Sequence, residues 1–569
     1  MRSDRLRRYR PGLMAATALA AVAALTGSVL HDARPAGAVV AAAPAASGVE
    51  DDGADCPVPG TGSTPSGSLL PDPFTELDGT RVNTVSDWRC RRAEIRELAE
   101  RSIYGQKPAK PASVTGTVSS TRITVNVGDQ GRSASFSASV DLPSGSGPFP
   151  AVVVLGGLGA DTSTIKASGV AVINYDPYAV GKEGTARNNK QGAFYSLYGS
   201  SSSTGLLMAW SWGVSRILDV IEQSGGTVLK AGATGVTGCS RFGKGAFVAG
   251  AFDQRIALTM PIESGTGGVP IYRGIPGESG SQPLSSAYSE QPWLGDAFSP
   301  YTGNPNALPV DTHEIVGMVA PRGLFIMENP HVDWLGARSG SVAALGGAEI
   351  YKSLGAGGNI TYWSDVQDGT HCAVRPEWKT PLQQNLAKFL LGSGSGSGVF
   401  RIASGKAGNL AQWRTWQTPT LTDDGGTTSG TTSGTSSGTS SGTTSGTSSG
   451  TSSGTSSGTA NGGTTGGDTG GACTAVYRSV NAWSGGYQGE VTVGNPGSGT
   501  LQGWTVKLPL PSGESLTSLW NGQNTGTSGT VSVRNASWNG TLGAGGSTTF
   551  GFTVTGGSAP PAALTCTSP

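Results

Sequence analysis

Charge is scarce in this chain. Only 13% of its 569 residues are Asp, Glu, Lys or Arg, and 38 basic residues balance 38 acidic ones. Without a basic surplus there is no electrostatic footprint for nucleic acid, and without an acidic run there is no cation store. Histidine is scarcer still, at four residues, so a step that needs an imidazole has few candidates. Past residue 30 no apolar run reaches the length that spans a bilayer. Nucleic acid is therefore not expected as a partner, nor a membrane beyond the N-terminal segment. The length exceeds what one ordinary core holds, so two or more domains are expected.

Glycine, at 91 residues, is abundant, and much of it is local. Gly425 to Gly471 is almost wholly Gly, Ser and Thr in short repeats, with no apolar residue to seed a core. Such a stretch is a flexible tether, spanning on the order of 35–40 Å on average. The N-terminus has five arginines between Met1 and Pro11, an alanine-rich apolar run from Leu13 to Leu30 and the small-x-small site Ala36-Gly37-Ala38. That order is a secretory signal, with an uncleaved anchor as the competing reading. The expected organisation is a signal peptide over 1–38, an irregular segment over 39–55, a first globular domain over 56–416, the linker over 417–471 and a second domain over 472–569. Six cysteines, even in number and grouped by region, suit an exported chain. The grouping predicts the pairs Cys56–Cys90, Cys239–Cys372 and Cys473–Cys566, out of about fifteen possible pairings of six.

In the first domain, alternating residues predict strands over 122–127 and 133–142, preceded by a helix over Trp88 to Ile103. Ala151-Val152-Val153-Val154-Leu155, closed by Gly156-Gly157, is a continuous apolar run, as in a strand buried on both faces of a parallel sheet. Val170 to Tyr175 repeats it, and strands are also expected over Arg255 to Ile262, Gly323 to Met327 and Ile360 to Trp363. Leu207, Trp210, Val214, Leu218 and Ile221 recur at helical spacing, predicting a covering helix over Gly205 to Glu222; a final helix is placed around Leu386 to Leu391. Alternating strands and helices predict an α/β-hydrolase-like domain, its mostly parallel sheet covered by helices on both faces.

Ser240 sits in Gly238-Cys239-Ser240-Arg241-Phe242-Gly243, between a β-branched run and a small-residue helical pattern. A serine between glycines at a strand-to-helix turn is how such domains expose a nucleophilic hydroxyl. The spacing here is Gly-x-Ser-x-x-Gly, one residue longer than usual. The hydroxyl needs a base. His31 goes with the signal, His313 opens a helical run and His331 follows a strand. His371 lies in the loop after the last strand, where this fold draws its histidine, and is the expected base; a surface-loop histidine is the bland alternative. The orienting acid stays open from the residues alone among Glu263, Glu328 and Asp333, all beyond strand ends.

Gly238 to Lys244, Ile262-Glu263-Ser264-Gly265, Ala320-Pro321-Arg322-Gly323-Leu324, Val332-Asp333-Trp334-Leu335-Gly336 and Thr370-His371-Cys372 together resemble the glucuronoyl esterases, carbohydrate esterase family 15, over roughly residues 80 to 395. The resemblance implies a metal-free and cofactor-free serine esterase. Its substrate would be the ester between (4-O-methyl-)glucuronic acid of glucuronoxylan and alcohols of lignin. It implies Ser240 as nucleophile, His371 as base, Glu263 as acid and Arg241 as oxyanion donor, with Lys244, Gln282, Glu290 and Trp334 against the uronate. Some bacterial members place the acid after the later strand, which keeps Glu328 and Asp333 as alternatives.

Residues 472–569 carry short alternating stretches separated by glycine-rich turns, predicting an all-β sandwich. Trp504 lies inside one such strand and is expected in the core. Trp483, Trp520 and Trp538 lie beside small or polar residues, as aromatics do that stack on pyranose faces. The segment resembles family 2 carbohydrate-binding modules, which implies that these three tryptophans bind cellulose. The resulting expectation is a secreted monomer acting on wall polysaccharide. Competing readings are an acetyl xylan or feruloyl esterase on the same scaffold, and a non-catalytic cellulose-binding protein.

Overall fold

The computed structural model describes residues 49–59 and 67–422, and in the C-terminal part residues 473–568 apart from 484, 521, 537–538, 558–560 and 562. The expected signal peptide and most of the expected linker lie outside the described residues.

Ten strands form one sheet: β1 (Ser113–Val118), β2 (Arg122–Asp129), β3 (Arg132–Asp141), β4 (Phe149–Leu155), β5 (Ala171–Tyr175), β6 (Leu229–Cys239), β7 (Leu258–Ile262), β8 (Gly323–Met327), β9 (Ile360–Ser364) and β10 (Phe400–Ile402). Their order is β1-β2-β3-β5-β4-β6-β7-β8-β9-β10. Pairings from β5 through β10 are parallel, and β1, β2 and β3 extend the sheet antiparallel. Every residue of β4 is buried, because helices cover both faces of the parallel part. The helix Leu206–Gln223 and the helix Arg241–Phe252 lie in one layer. The helices Thr162–Ala167 and Pro376–Phe389 lie in the other, where Ile165, Trp378, Leu382 and Leu386 join Val152, Val154, Met260 and Phe325 in a second core. This is the expected α/β architecture.

Differences from the sequence reading are local. Arg255 to Ala257 are not in a strand: the Arg255 guanidinium is drawn onto Asp253, Asp219 and Glu222, so β7 starts at Leu258. The last helix runs over Pro376–Phe389, so it holds Leu386 but stops short of Leu390 and Leu391, with Pro376 at its first position, where the missing N–H costs nothing. The first helix spans Val85–Ala99, opened by a reciprocal Thr84–Asp87 capping box, and widens into a π-turn over Glu100–Tyr104. Packing also extends beyond 56–416. Glu50 is buried against Lys107 and Arg216, and Thr422 N–H donates to Asn83 O at 3.1 Å.

In the C-terminal part, two antiparallel four-stranded sheets face each other. One holds β11 (Thr474–Trp483), β12 (Gly486–Gly494), β17 (Ser547–Thr555) and β14 (Ser515–Trp520); the other holds β15 (Gly522–Thr525), β16 (Thr530–Asn535), β13 (Thr505–Pro509) and β18 (Thr565–Thr567). Their inner faces share one core. Trp504 is buried there, its Nε1–H donating to Asn539 O at 2.8 Å and its ring stacked on Phe550. Trp483 and Trp520 end β11 and β14, but their side chains, like the whole of Trp538, lie outside the described residues. Three disulfides are present: Cys56–Cys90, Cys239–Cys372 and Cys473–Cys566. No helix among the described residues is long and apolar enough to cross a membrane.

Candidate active site

Strand register assembles the site. Cys239 pairs with Ile262 and Ile262 with Met327, so the next residues, Ser240, Glu263 and Glu328, leave three adjacent strands side by side. Ser240 N–H donates to Ile262 O at 2.9 Å and Glu263 N–H to Met327 O at 2.7 Å. Ser240 has φ +59°, Glu263 φ +44° and Cys372 φ +59°. Side chains rarely adopt that region, and strain of this kind gathers at functional sites.

The glycine spacing has a steric cause. A Cβ on Gly238 would meet Phe242 O at 2.6 Å, and one on Gly243 would meet Ile262 O at 2.4 Å. The turn therefore lies against both β7 and its own helix, and Gly243, the third residue of the helix Arg241–Phe252, lets that helix start next to β7.

His371 follows β9 in an irregular loop tied down by the Cys239–Cys372 disulfide. One cystine thus joins the residue before Ser240 to the residue after His371. His371 Nδ1 lies 2.6 Å from Glu263 Oε2, and Cys372 N–H donates to the same oxygen at 2.8 Å. The other oxygen has Arg375 Nε at 3.6 Å and the Asn329 amide at 3.5 Å. The Glu263 carboxylate is wholly inaccessible to solvent, and these donors hold its charge in place.

The other two acids stand elsewhere. Glu328 is buried beneath Ser264, whose Oγ–H donates to its Oε1 at 3.3 Å, and its Oε2 has no partner. Burial, with the charge of Glu263 added, pushes the Glu328 carboxyl up to about 8. Asp333 is exposed and pairs with Lys406 at 2.7 Å. Of the three, only Glu263 is hydrogen-bonded to His371.

Arg241, the first residue of the helix, points across the turn. Its Nη1–H donates to Glu183 Oε2 at 2.9 Å, and its Nη2 lies 4.0 Å from Glu290 Oε1. Lys244, one turn on, is buried, and Nζ donates to Ser264 O. Burial pulls its ammonium down to about 8, against the opposing charges of Glu290 and Glu328. Both cations face the Trp293 ring, at 5.5 and 5.4 Å from its centroid. Gln282 Nε2–H donates to Glu290 Oε2 at 2.7 Å, and Gln282 N–H donates to Trp334 O at 3.0 Å. The Trp334 ring, 53% exposed, stands edge-on to His371 at 5.8 Å. Pairwise contacts thus connect Lys244, Gln282, Glu290 and Trp334 with Arg241 and His371.

Sequence reasoning passed over Glu183. Its carboxylate gathers Arg241, the Tyr178 hydroxyl at 2.7 Å and the Trp293 indole N–H. The only signal was a charged residue in the glycine-bounded loop after β5, too common to single out. Cys239, Glu263, His371 and Cys372 bring four ligand-type atoms within 4.8 Å, but both sulfurs are in a disulfide and offer no thiolate, so they make no metal site.

A buried carboxylate on an imidazole, beside a serine on a strained turn and a guanidinium one residue on, is the apparatus of acyl transfer through a serine ester. Comparison with known proteins agrees. The family described as "Glucuronyl esterase, fungi" matches residues 125–355, and "Cellulose binding domain" matches residues 473–568. The chain is 37% identical to the 4-O-methyl-glucuronoyl methylesterase of Hypocrea jecorina over 376 residues, 65% of this chain and 80% of that protein. It is 38% identical to the enzyme of the same name from Schizophyllum commune over 377 residues, 64% of this chain and 95% of that protein. Among solved structures, the glucuronoyl esterase catalytic domain from Hypocrea jecorina is 36% identical with a TM-score of 0.60, covering 64% of this chain and all of that one. A serine-to-alanine mutant of the Sporotrichum thermophile glucuronoyl esterase, in complex with methyl 4-O-methyl-β-D-glucopyranuronate, is 37% identical with a TM-score of 0.61 over the same shares.

Proposed function

Since the chain belongs to the glucuronyl esterase family and carries a cellulose binding domain, we propose that it hydrolyses the ester between (4-O-methyl-)glucuronic acid of glucuronoxylan and lignin alcohols while held on cellulose. The observation that carries the reading is the 2.6 Å contact of His371 with buried Glu263, on the strand ends that also present Ser240. In the first step the Ser240 Oγ–H proton passes to His371 Nε2, which in the structure has Cys372 Sγ at 3.7 Å, as Oγ bonds to the uronate carbonyl carbon. Glu263, hydrogen-bonded at Nδ1, holds the ring's tautomer and stabilises the imidazolium. Arg241 faces the oxygen that gains negative charge; a fixed donor of this kind contributes roughly 3–4 kcal/mol. The carbon–oxygen bond to the alcohol then breaks and His371 returns the proton to the departing oxygen. Water, deprotonated by His371, attacks the glucuronoyl-serine, releases the acid and restores Ser240. Lys244, Gln282, Glu290 and Trp334 hold the sugar.

The signal-like N-terminus and the three disulfides support secretion. The Gly/Ser/Thr-rich run between the two globular parts serves as a tether, and Trp483, Trp520 and Trp538 as the cellulose contacts.

Ser240→Ala should abolish hydrolysis of benzyl glucuronate. Acetylated xylan and feruloyl esters, offered in parallel, should be poor substrates; faster turnover of either than of the glucuronate ester would overturn the assignment. Residues 473–568 have a core and a disulfide of their own, so the isolated segment should sediment with microcrystalline cellulose. Retention in the supernatant would remove the cellulose role.

A further inference from the structure

His371 and the Cys372 N–H use one oxygen of the Glu263 carboxylate; the other, Oε1, has Arg375 beside it. We propose that Arg375 is a positioning residue for the reaction: it grips the histidine loop from behind and, through its charge on Glu263, keeps His371 available as a base to lower pH. This rests on the esterase reading above. Arg375 is buried although it carries a charge, and a buried charge needs partners. Its partners all belong to this corner of the site. Nη2–H donates to Thr370 O, the carbonyl that precedes His371. Nη1 lies 3.2 Å from Asp368 Oδ2, further back in the same loop, and Nε lies 3.6 Å from Glu263 Oε1.

The place of the guanidinium is set by a rigid element. It lies 5.4 Å from the centroid of the Trp378 ring, and Arg375 is the residue from which the helix Pro376–Phe389 starts. Asn329, from the segment after β8, repeats the bridge, its amide 3.5 Å from both Glu263 Oε1 and Thr370 O. Shape at these two atoms is thus supplied twice, but charge only by Arg375. At 3.6 Å Nε–H is not hydrogen-bonded to Oε1, and this buried N–H has no other acceptor. The contact acts as charge on charge. Neighbouring groups leave it uncancelled. Glu328, pushed up to about 8, is neutral below that. Asp368 is exposed and screened by water, and Glu377 accepts the Gln367 N–H. His331 is turned to Val366 O at 2.7 Å. Asp161 and Lys379 offset each other at the crevice beside Trp378, and Arg241 is paired with Glu183. A cation on the carboxylate that His371 also uses disfavours the imidazolium at rest.

The test uses the full chain and the pH dependence of kcat and kcat/KM on benzyl glucuronate. Arg375→Gln should lower kcat about 10- to 100-fold and move the acid limb of the kcat/KM profile up by about one pH unit. Arg375→Lys keeps the charge but not the planar fork; its acid limb should stay at the wild-type position while kcat falls. Loss of packing alone lowers kcat or stability and leaves the limb where it was. An unmoved limb in Arg375→Gln, a limb displaced equally in both variants, or full activity of Arg375→Gln would therefore each overturn the role. If Arg375→Gln does not fold, Arg375→Lys decides by itself: a displaced limb or an undiminished kcat would overturn it. A wild type that does not cleave benzyl glucuronate, or Glu263→Gln with near-full activity, would instead overturn the esterase reading beneath it.

Discussion

Glu263 Oε2 accepts from two directions at once, His371 Nδ1 at 2.6 Å and Cys372 N–H at 2.8 Å. One carboxylate oxygen thereby fixes both the imidazole and the backbone that carries it. Glu263→Gln would put an amide where the ring needs an acceptor. The expected outcome is a drop in kcat of about 10³–10⁴ with KM little changed. Asp333→Asn, whose carboxylate pairs with Lys406 at the surface, should stay close to wild type. Steady-state kinetics on benzyl glucuronate decides; near-full activity of Glu263→Gln would move the acid elsewhere.

Glu328 makes a prediction of opposite kind. Its carboxyl is pushed up to about 8 by burial and by Glu263, against an ordinary value near ~4.3. Its contribution to stability is therefore fully present below about pH 4 and is lost as pH rises towards 8, because the unfolded chain gains ionisation that the folded one resists. Glu328→Gln cannot ionise. It should match wild type in denaturant titrations at pH 4.5 and exceed it at pH 8 by roughly 2–4 kcal/mol, while keeping its activity. Equal stability at both pH values would show that the buried carboxyl titrates normally.

Glu183 accepts from Arg241, the proposed oxyanion donor. With Glu183→Gln the neutral amide still fills the space between Tyr178 and Trp293 but loses the charge that anchors the guanidinium. A fall in kcat of about 10- to 100-fold with little change in KM is expected, since a small misplacement of a catalytic group costs that much. An increase confined to KM would mean that Glu183 serves substrate binding instead.

Far from the site, Glu50 meets Lys107 at 2.8 Å, Arg216, and Arg255 at 3.5 Å. Burial favours its neutral form, but these three cations overcome that and hold the carboxyl well below the usual range. Its stabilisation is present above about pH 4.3 and lost as pH falls. Glu50→Ala strands buried cations and should cost about 3–5 kcal/mol at pH 7, with the gap to wild type narrowing towards pH 3. A constant gap across that range would attribute the loss to packing rather than charge.

What could be read from the chain is what short stretches encode. The apolar run of β4 and the glycines around Ser240 are local patterns with one structural solution each, and scarcity singled out His371. The acid could not be ranked because β7 and β8 both end in a glutamate; only the loop from β9, tied down by a cystine, decides which one meets the imidazole. Glu183 and Glu50 acquire their partners 58 and 166 residues away, distances over which no periodicity speaks. Strand β1 escaped notice because five of its six positions are at least partly exposed, which leaves it no apolar rhythm.

The Cys239–Cys372 cystine has a consequence for where this protein can work. Its two halves are 133 residues apart, and they tie together the loops that bear nucleophile and base. Made where thiols stay reduced, the chain could complete its sheet and still leave His371 on an untethered loop. The covalent part of that tether forms only where thiols are oxidised.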